Sequence, residues 1–388
     1  MRINLHFISQ YNRLAEAFLR SFSSEKPGEN IAFSPFSLIS MLSILADATG
    51  GDTREEILKA LYGRMKHEGL PELLRETGKR LSKIDFDNIL TDAESYGRKP
   101  IPVDYSRHLT TANMLFIRED YEKSIRPEYS RSFHEQYDGM VIGAKDIEAA
   151  MGAIYTMLEN GRLEVPDDTV YAESIVTLFN AVFFDAKWMT PYGSKDIEEQ
   201  VFTNADGKKT KVNMMNSTEA VYVEDELATG FIKDFQQCDY SFMALLPREK
   251  GPEALQKLVQ DFSFFHYNYH REDMTVHTAM PEFKIETEQN LKQACADLGI
   301  TEALTTNGDF TPMSAFKLPA KRMTHWAKIE IDRNGASTTA AAKANHQPAI
   351  PTKKAKKVIL NRPFVFAIFH RTLNIPVLIG VVNHPEKA

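Results

Sequence analysis

The chain of 388 residues is 43% hydrophobic and 26% charged, a composition typical of a globular protein that builds a sizeable core. Its net charge of −7 argues against general affinity for nucleic acid, and no run approaches the roughly 18 apolar residues needed to cross a membrane. No secretory signal is visible at the start of the chain, so we expect either a cytoplasmic protein or the mature form of an extracellular one.

Helical patterns dominate the first part of the chain. Apolar residues recur at helical spacing in residues 8–22. Residues 36–48 are apolar nearly all round, which is typical of a buried helix. The capping-box pattern at residues 53–56 predicts the start of another helix. Further helical patterns cover residues 63–102, which end in a polar loop, and residues 146–160.

Strand signals dominate the rest of the chain. Residues 175–184 are rich in β-formers and predict a central strand buried on both faces, inside which Asn180 needs hydrogen-bond partners. The other strand signals lie at residues 30–34, 111–117, 212–215, 240–246, 275–285, 326–332, 364–369 and 376–382. Helices come early and strands late, with no linker, composition shift or internal repeat between them. We therefore predict one α+β domain.

The sequence carries no signature of catalysis. The motifs G-x-S-x-G, G-x-x-x-x-G-K-[ST], G-x-G-x-x-G and H-E-x-x-H are all absent, and residues 206–210 fit a hairpin turn better than a phosphate loop. The 11 histidines lack metal-ligand spacing, and Cys238 and Cys295 allow at most one disulfide. We expect no catalytic residue, no metal and no cofactor.

The connection between the strand signals at residues 326–332 and 364–369 is unusually long. Loops above roughly 20 residues in compact domains are usually functional or disordered. Taken as a strand, its first half places Ala336, Thr338, Ala340, Ala342 and Ala344 on one face. That small, uncharged face could slide between two existing strands. A surface helix or a disordered loop is the alternative, because alanine is the best helix former.

Four other features of the sequence bear on the interpretation of this connection. Gly335 closes a turn after residue 332 and is predicted to relieve an unusual backbone angle. The basic run at residues 353–357 is either a solvated loop end or an attraction for an anionic partner or a trypsin-like protease. His325 and Trp188, taken alone, are interpreted as core residues.

Eight short blocks follow one another along the chain. They are NIAFSPFS at residues 30–37, NAVFFDAKW at 180–188, MPEFKI at 280–285, LGI at 298–300, DF at 309–310, HWAKIEI at 325–331, NRPFVF at 361–366 and GVVNHP at 380–385. Each block alone is weak evidence. Their order and spacing together closely resemble the serpin family, over nearly the full length of the chain.

The resemblance implies a serpin-like single α+β domain over residues 1–388, with three β-sheets, about eight or nine helices and an exposed reactive-centre loop near residues 333–360. It implies a suicide inhibitor that a serine protease attacks to form an acyl-enzyme. The cleaved loop then inserts into the central sheet and carries the trapped protease with it. The native fold would be metastable, held by kinetic barriers. The expected partner is the protease, bound covalently by a monomer, with no nucleic acid and no membrane.

The resemblance also assigns roles by position. The shutter, a polar cluster under the central sheet that controls its opening, would comprise Ser34, Ser37, Asn180 and His325. The breach, at the top of the sheet where insertion starts, would contain Trp188. The hinge of the loop would comprise Gly335, Ala336, Ser337, Thr338, Thr339, Ala340, Ala341 and Ala342.

Three positions depart from the family pattern. Arg333 stands where Glu is usual, Ala336 where Thr or Ser is usual, and Gly152 where Asn is usual. None of these adds bulk or proline to the hinge, so we favour inhibition. The alternatives are a non-inhibitory serpin that acts as a binding or carrier protein and, more distantly, an unrecognised enzyme.

The reactive bond is predicted between Ala349 and Ile350, fourteen residues on from Gly335. Ala349 suits an elastase- or subtilisin-like protease. Counting back from Asn361 instead gives Thr352, so the loop is about three residues longer than usual. Cleavage within the lysine run would suit trypsin-like proteases, but the longer tether would weaken the distortion of the protease, and we expect substrate behaviour there.

Overall fold

A computed structural model of the chain describes residues 5–63, 70–81, 109–137, 139–144, 176–236, 239–316, 322–336 and 355–386. Its helices are α1 (Leu5–Glu25), α2 (Pro35–Ala48), α3 (Gly51–Tyr62), α4 (Leu70–Leu81), α5 (Glu119–Glu122), α6 (Pro127–Tyr137), α7 (Pro252–Asp261), α8 (Phe264–Tyr269) and α9 (Lys292–Asp297). Its strands are β1 (Ile31–Phe33), β2 (Leu109–Arg118), β3 (Gly139–Ala144), β4 (Val176–Phe184), β5 (Ala186–Lys187), β6 (Ile197–Thr203), β7 (Lys209–Glu224), β8 (Ala228–Asp234), β9 (Tyr240–Pro247), β10 (Arg271–Pro281), β11 (Phe283–Asn290), β12 (Arg322–Ile331), β13 (Gly335–Ala336), β14 (Lys356–Ile359), β15 (Phe364–His370) and β16 (Ile375–Val382).

The central sheet has the strand order β3-β2-β4-β12-β11. Its β2–β4 and β12–β11 pairs are antiparallel, whereas β3–β2 and β4–β12 are parallel. The short strands β13 and β5 extend this sheet beyond the upper end of β12. The middle of the sheet is therefore a parallel junction between two strands that lie far apart in sequence.

The remaining strands form a second hydrogen-bonded network, ordered β1-β16-β15-β9-β8-β7-β10-β14, with β6 also paired to β7. The long strand β7 is shared by two sections of it: its first part pairs with β6 and its last part with β8. The three-sheet arrangement expected from the sequence thus takes the form of two hydrogen-bonded networks, the central sheet and a second network whose two sections share β7.

Helix α2 lies beneath the central sheet, in contact with β4. Its sequence is apolar nearly all round, and every residue from Pro35 to Ala48 except Asp47 is buried. The Ser34 side chain caps the helix by accepting a hydrogen bond from the N–H of Ser37. The predicted helix at residues 8–22 lies within α1, whose buried Phe18 and Phe22 pack against Phe33 of β1. Both helix predictions are confirmed.

The helix predicted from residue 53 is confirmed as α3, but the predicted capping box does not form. Helix α3 begins at Gly51, so Thr53 lies inside it, and Gly50 stands at the N-cap without a side-chain bond. The Thr53 hydroxyl instead donates to the Glu302 carboxylate at 3.1 Å. The carboxylate of Glu56 accepts the N–H groups of residues 301 and 302 at 2.7 and 3.0 Å. These side chains make long-range contacts rather than a local cap.

The strand predicted over residues 275–285 is two strands. The chain leaves one network at Pro281, the end of β10, and enters the central sheet at Phe283, the start of β11. Glu282 between them donates its N–H to the carbonyl of Asn213 at 2.9 Å. The predicted hairpin turn near Gly207 is confirmed between β6 and β7, where that glycine has φ of 82°. The helical pattern at residues 146–160 lies outside the described residues.

The described residues also bear on membrane spanning and on cysteine chemistry. None of their helices is both long enough and apolar enough to pass through a membrane. Cys295, on α9, is a buried free thiol whose pKa burial raises to about 12.

Candidate functional site

The junction between β4 and β12, which we call the seam, is the feature around which the predicted site residues lie. The two parallel strands are paired from Thr177–Arg322 up to Val182–Ala327, and β12 continues past that point to Ile331. A strand that returns from the end of β12 would run antiparallel to both neighbours. Parallel pairing is slightly less stable per residue than antiparallel pairing, so a strand added at the seam would improve the pairing there.

Three residues of the predicted shutter meet at the middle of the seam. His325 Nδ1 lies 3.2 Å from Asn180 Oδ1 across the seam, and the two residues are register partners. The N–H of Ser34 donates to His325 Nε2 at 3.0 Å. Because Nε2 accepts this bond, the proton of the neutral ring is on Nδ1, which then donates to Asn180.

The hydrogen-bond chain continues beyond Asn180 through two residues that sequence reasoning missed. Asn180 Nδ2 donates to Asn113 Oδ1 at 2.8 Å, and Asn113 Nδ2 donates to the carbonyl of Tyr137 at 2.9 Å. Asn113 lies in strand β2, opposite Asn180 in register. That coincidence of two asparagines on predicted strands was a signal in the sequence.

His325 is held as the neutral imidazole. The side chain is fully buried, and burial lowers its pKa to about 3. A protonated ring would also direct an N–H from Nε2 at the N–H of Ser34, two donors facing each other. Every bond that crosses the seam at this level is therefore a bond between uncharged groups.

Ser37, the fourth predicted shutter residue, is buried but takes no part through its hydroxyl. Its Oγ has no hydrogen-bond partner among the described residues, and only its N–H is used, by Ser34 Oγ. Ser34 contributes its backbone N–H to His325 and its side chain to the helix cap. The shutter thus depends on the start of helix α2 more than on its serine hydroxyls.

Trp188, the predicted breach residue, is fully buried at the top of the seam. Its ring stacks on Phe235 with centroids 4.5 Å apart, and it meets the edge of Phe242 at 5.8 Å. Its indole Nε1 donates to the carbonyl of Asp332 at 2.9 Å. The side chain therefore ties the second network to the end of β12.

A buried ion pair lies beside this tryptophan. Lys233 Nζ is 2.7 Å from Glu219 Oε1, with 1% and 10% of their side chains exposed. The same ammonium lies 5.5 Å from the Trp188 ring centroid and 4.6 Å from that of Tyr192. A buried charge without its partner is costly, so the ion pair stabilises the packing around the predicted breach residue. Nothing in the local sequence of either charged residue predicts the pair.

The turn that follows β12 is fixed on both sides. The carbonyl of Asp332 accepts a hydrogen bond from Trp188 Nε1. The carbonyl of residue 333 accepts from the N–H of Tyr192, and that of residue 334 from the N–H of Trp188. The Asp332 carboxylate accepts the N–H groups of Asn334 and Gly335 at 2.7 and 3.0 Å. The guanidinium of Arg333 lies 3.7 Å from the Glu282 carboxylate. Arg333 thus has an acidic partner of its own.

The first two hinge residues already form a strand. Gly335 and Ala336, as β13, pair antiparallel with β12 at Ile331 and with β5 at Ala186 and Lys187. Since β5 continues the line of β4, β13 lies between the upward extensions of the two seam strands. Ala336 is fully buried.

The predicted reason for the glycine at position 335 is wrong. Gly335 is not among the described residues with positive φ. A Cβ there would instead lie 2.1 Å from the carbonyl oxygen of Ala186 and 2.7 Å from Lys187 Cα. Glycine is needed for close approach of two backbones.

The remaining predicted site residues lie outside the described residues. They are Ser337, Thr338, Thr339, Ala340, Ala341, Ala342, Ala349 and Ile350. Gly152 and the first two residues of the lysine run, Lys353 and Lys354, are outside as well. Lys356, at the start of β14, is described, and it contacts Glu224 at 3.2 Å.

Comparison with known proteins gives a consistent result. A family model described as Serpin (serine protease inhibitor) matches residues 9–385. A serpin-like protein of Methanosarcina acetivorans is 25% identical over 374 residues, covering 92% of this chain and 82% of the relative. Plasminogen activator inhibitor 1 of Sus scrofa is 23% identical over 405 residues, covering 98% and 94%.

Solved structures share the fold. Native Tengpin, a thermophilic serpin, superposes with a TM-score of 0.83 at 26% identity, covering 99% of this chain and 95% of that one. Human thyroxine-binding globulin has a TM-score of 0.78 at 20% identity, covering 98% of this chain and 100% of that one.

Proposed function

The chain belongs to the serpin family, and we propose that it is a suicide inhibitor of serine proteases, with elastase- or subtilisin-like enzymes as its targets. What supports the proposal most is the position of β13: the hinge begins as a strand between the extensions of β4 and β12, antiparallel to its neighbours. After cleavage of the loop, the strand would lengthen downward along the seam, and two antiparallel pairings would replace one parallel pairing.

The sequence of the hinge fits this insertion. Ala336 is buried, so a strand that continues from it directs Thr338, Ala340 and Ala342 to the same buried side. Their side chains are small and uncharged, and burial costs them little. Lys343 falls on the opposite side. As insertion reaches the middle of the seam, the bond between His325 and Asn180 has to break.

The direct test is incubation with pancreatic elastase, followed by a denaturing gel and mass spectrometry of the released C-terminal peptide. We expect a complex that survives denaturant and a peptide that begins at Ile350. Cleavage without any complex would overturn the proposal for this protease class. A peptide that begins in the lysine run would redirect the search to trypsin-like enzymes, and stable complex with those enzymes alone would contradict our choice of reactive bond.

A Thr338→Arg variant tests the inserting face. A guanidinium on the buried side opposes insertion because an unpaired buried charge is strongly unfavourable. We expect the variant to be cleaved as a substrate, with complex formation reduced at least about tenfold. A Thr339→Arg variant is the matched control, since its charge lies on the other side and should leave most of the complex. Full complex with Thr338→Arg would refute the assignment of faces.

A non-inhibitory role as a binding or carrier protein is the second candidate. The departures at Arg333 and Ala336 favour it, because both residues lie at the base of the hinge. Heating before and after loop cleavage separates the two functions. An inserting loop raises the unfolding temperature on cleavage, whereas a loop that is only cut leaves it unchanged.

A further inference from the structure

A cleft of about 540 Å³ lies along the outer edge of the central sheet, on the side of β11 that faces away from the seam. Among the described residues, β11 pairs with β12 and with no other strand. The opposite wall is formed by the end of helix α1 and the turn after it, and one end is closed by residues 384 and 386. The cleft therefore places an open strand edge inside a groove.

The outward backbone groups of β11 can be assigned from their contacts. The N–H of Lys284 donates to the carbonyl of Glu386 at 3.2 Å, and the carbonyl of Glu288 accepts from Lys26 Nζ at 3.2 Å. Both bonds lie on the side away from β12. Since backbone direction alternates along a strand, Glu286 between them also directs its N–H and carbonyl into the cleft.

The lining of the cleft carries more acidic than basic side chains, and Lys284 Nζ lies 3.7 Å from the Glu286 carboxylate at its edge. The carboxylates of the cleft are those of Glu25, Glu29, Glu286, Glu288 and Glu386, and its basic side chains are Lys26 and His384. The C-terminal end of helix α1, at Glu25, adds partial negative charge from its free carbonyls. Burial raises the pKa of the Glu25 carboxyl, an effect that nearby Lys26 offsets only in part.

The wall opposite β11 is preformed. Asn30 Oδ1 accepts the N–H groups of Asn383 and His384 at 2.7 and 3.0 Å. Asn30 Nδ2 donates to the carbonyl of His384 at 2.7 Å. These bonds hold residues 383 and 384 against the turn after α1, so contacts within the protein itself keep this wall in place.

We propose that this cleft binds an extended peptide that alternates lysine or arginine with small apolar residues, added as a strand along Glu286 to Asn290. Residues opposite Glu286 and Glu288 share their face of the sheet, where cationic side chains would meet carboxylates. Residues opposite Thr287 would face inward and must be small. The edge from 286 to 290 is about 13 Å long, which accommodates about five residues.

The same charges argue against a second copy of this chain as the occupant through its own β11. Two such edges would bring like-charged carboxylates together, and charged edges are a common means by which proteins avoid edge-to-edge pairing. A cationic strand from a different protein has the opposite property. Main-chain bonds would provide affinity and the carboxylates the preference for positive charge.

The probe is a fluorescein-labelled heptapeptide of alternating lysine and valine, titrated with the full chain at low ionic strength and followed by anisotropy. We expect saturable binding and slower hydrogen exchange at the Glu286 amide. A peptide with the same charges but N-methylated at alternate residues cannot form the ladder, and it should bind at least about tenfold more weakly. Equal binding of the two peptides would overturn strand addition.

Charge variants locate the site. Glu286→Lys combined with Glu288→Lys should weaken binding at least about tenfold. Lys26→Ala removes the internal cation that competes for the Glu288 carbonyl, and it should tighten binding about threefold. The matched control is Glu198→Lys with Glu199→Lys on the edge strand β6, which should bind the peptide as the unmodified protein does.

Equal losses in the β6 control would show non-specific attraction and overturn the assignment. Peptide-independent dimers that dissociate when residues 286 and 288 are reversed would identify a second copy as the occupant and also overturn it. The cleft lies across β12 from the seam, so the two β11 changes should leave protease inhibition unaltered. Failure of this proposal is thus distinguishable from failure of the proposed inhibitory function.

Discussion

The middle and the top of the seam are closed by different physical means. At the middle, His325 and Asn180 are joined across the strands by a hydrogen bond between neutral, buried groups. At the top, Trp188 is held by stacking on Phe235 and by a buried ion pair beside it. The interaction at the middle is sensitive to the direction and distance between two polar groups. The interactions at the top depend mainly on the buried contact area of the rings and on the ion pair.

This difference is consistent with the proposed entry of the cleaved loop from the top of the seam. Hydrogen bonds weaken steeply with misalignment, so the bond at the middle is lost in one step when β4 and β12 separate. Aromatic packing has no such threshold, and it coexists with β13 already seated between β5 and β12. At the top, β13 is already paired with both neighbours, whereas at the middle the bond between His325 and Asn180 is intact.

Removing the aromatic ring should have the largest effect on this comparison. Trp188→Ala deletes a fully buried ring and its bond to Asp332, and we expect a loss of about 3–5 kcal/mol in the free energy of the first unfolding transition. Guanidinium unfolding followed by circular dichroism measures it. Trp188→Phe is the control and should lose about 1–2 kcal/mol. A loss below about 1 kcal/mol for the alanine variant would refute the role of packing at the top.

The second-largest loss of stability is expected from removing the hydrogen bond at the middle of the seam. Asn180→Ala leaves the His325 N–H and the Asn113 oxygen buried without partners, and we expect a loss of about 2–4 kcal/mol. The matched control is Ser37→Ala, whose hydroxyl has no partner, and it should be nearly neutral. Equal effects of the two changes would mean that the hydrogen-bond chain contributes nothing specific.

The stability contributed by the middle of the seam should depend on pH, because the bond there involves His325. The pKa of His325 is about 3 in the fold and about 6.5 unfolded, so the unfolded state binds the proton first as pH falls. The stability that the neutral ring contributes is complete above about pH 6.5 and is lost progressively toward pH 3, and about 1.4 kcal/mol of it is lost at pH 5.5. Unfolding of the protein and of a His325→Gln variant across this range measures it. Identical pH profiles would refute a neutral, buried imidazole.

The smallest effect is expected at the base of the hinge. The Arg333–Glu282 pair is 3.7 Å apart, and 43% of the arginine side chain is exposed. We expect Arg333→Ala to cost less than about 1 kcal/mol. A double-mutant cycle with Glu282→Ala measures the coupling between the two. A coupling above about 2 kcal/mol would show that the charge pair, rather than the aromatic packing, holds the top of the seam.

Much of this fold follows from patterns in the sequence. The all-round apolar character of residues 36–48 predicts a buried helix, and the β-rich run ending at Phe184 predicts the central strand. Both signals are strong because each is a continuous run of apolar or β-forming residues, which is typical of an element buried on all sides. The division at Glu282 was missed because a run of strand-forming residues does not reveal that its two halves pair with different partners.

The site was predictable only in part. Asn180 and His325 can be found from sequence blocks, but Asn113 and Asp332 act through partners that only the fold brings near. The ion pair of Lys233 and Glu219 depends on two strands whose contact no local pattern encodes. Long-range pairing of single polar groups is set by register, and register is a property of the whole sheet.

Under the proposed insertion, the seating of β13 sets the register of the whole hinge. Ala336 is buried in register, so every later residue of an inserting strand is assigned to a side by its distance from that alanine. Deleting Ala340 alone would turn Lys343 to the buried side, whereas deleting Ala340 and Ala341 together would leave it outward. Changes of hinge length should therefore be tolerated in steps of two residues and rejected in steps of one.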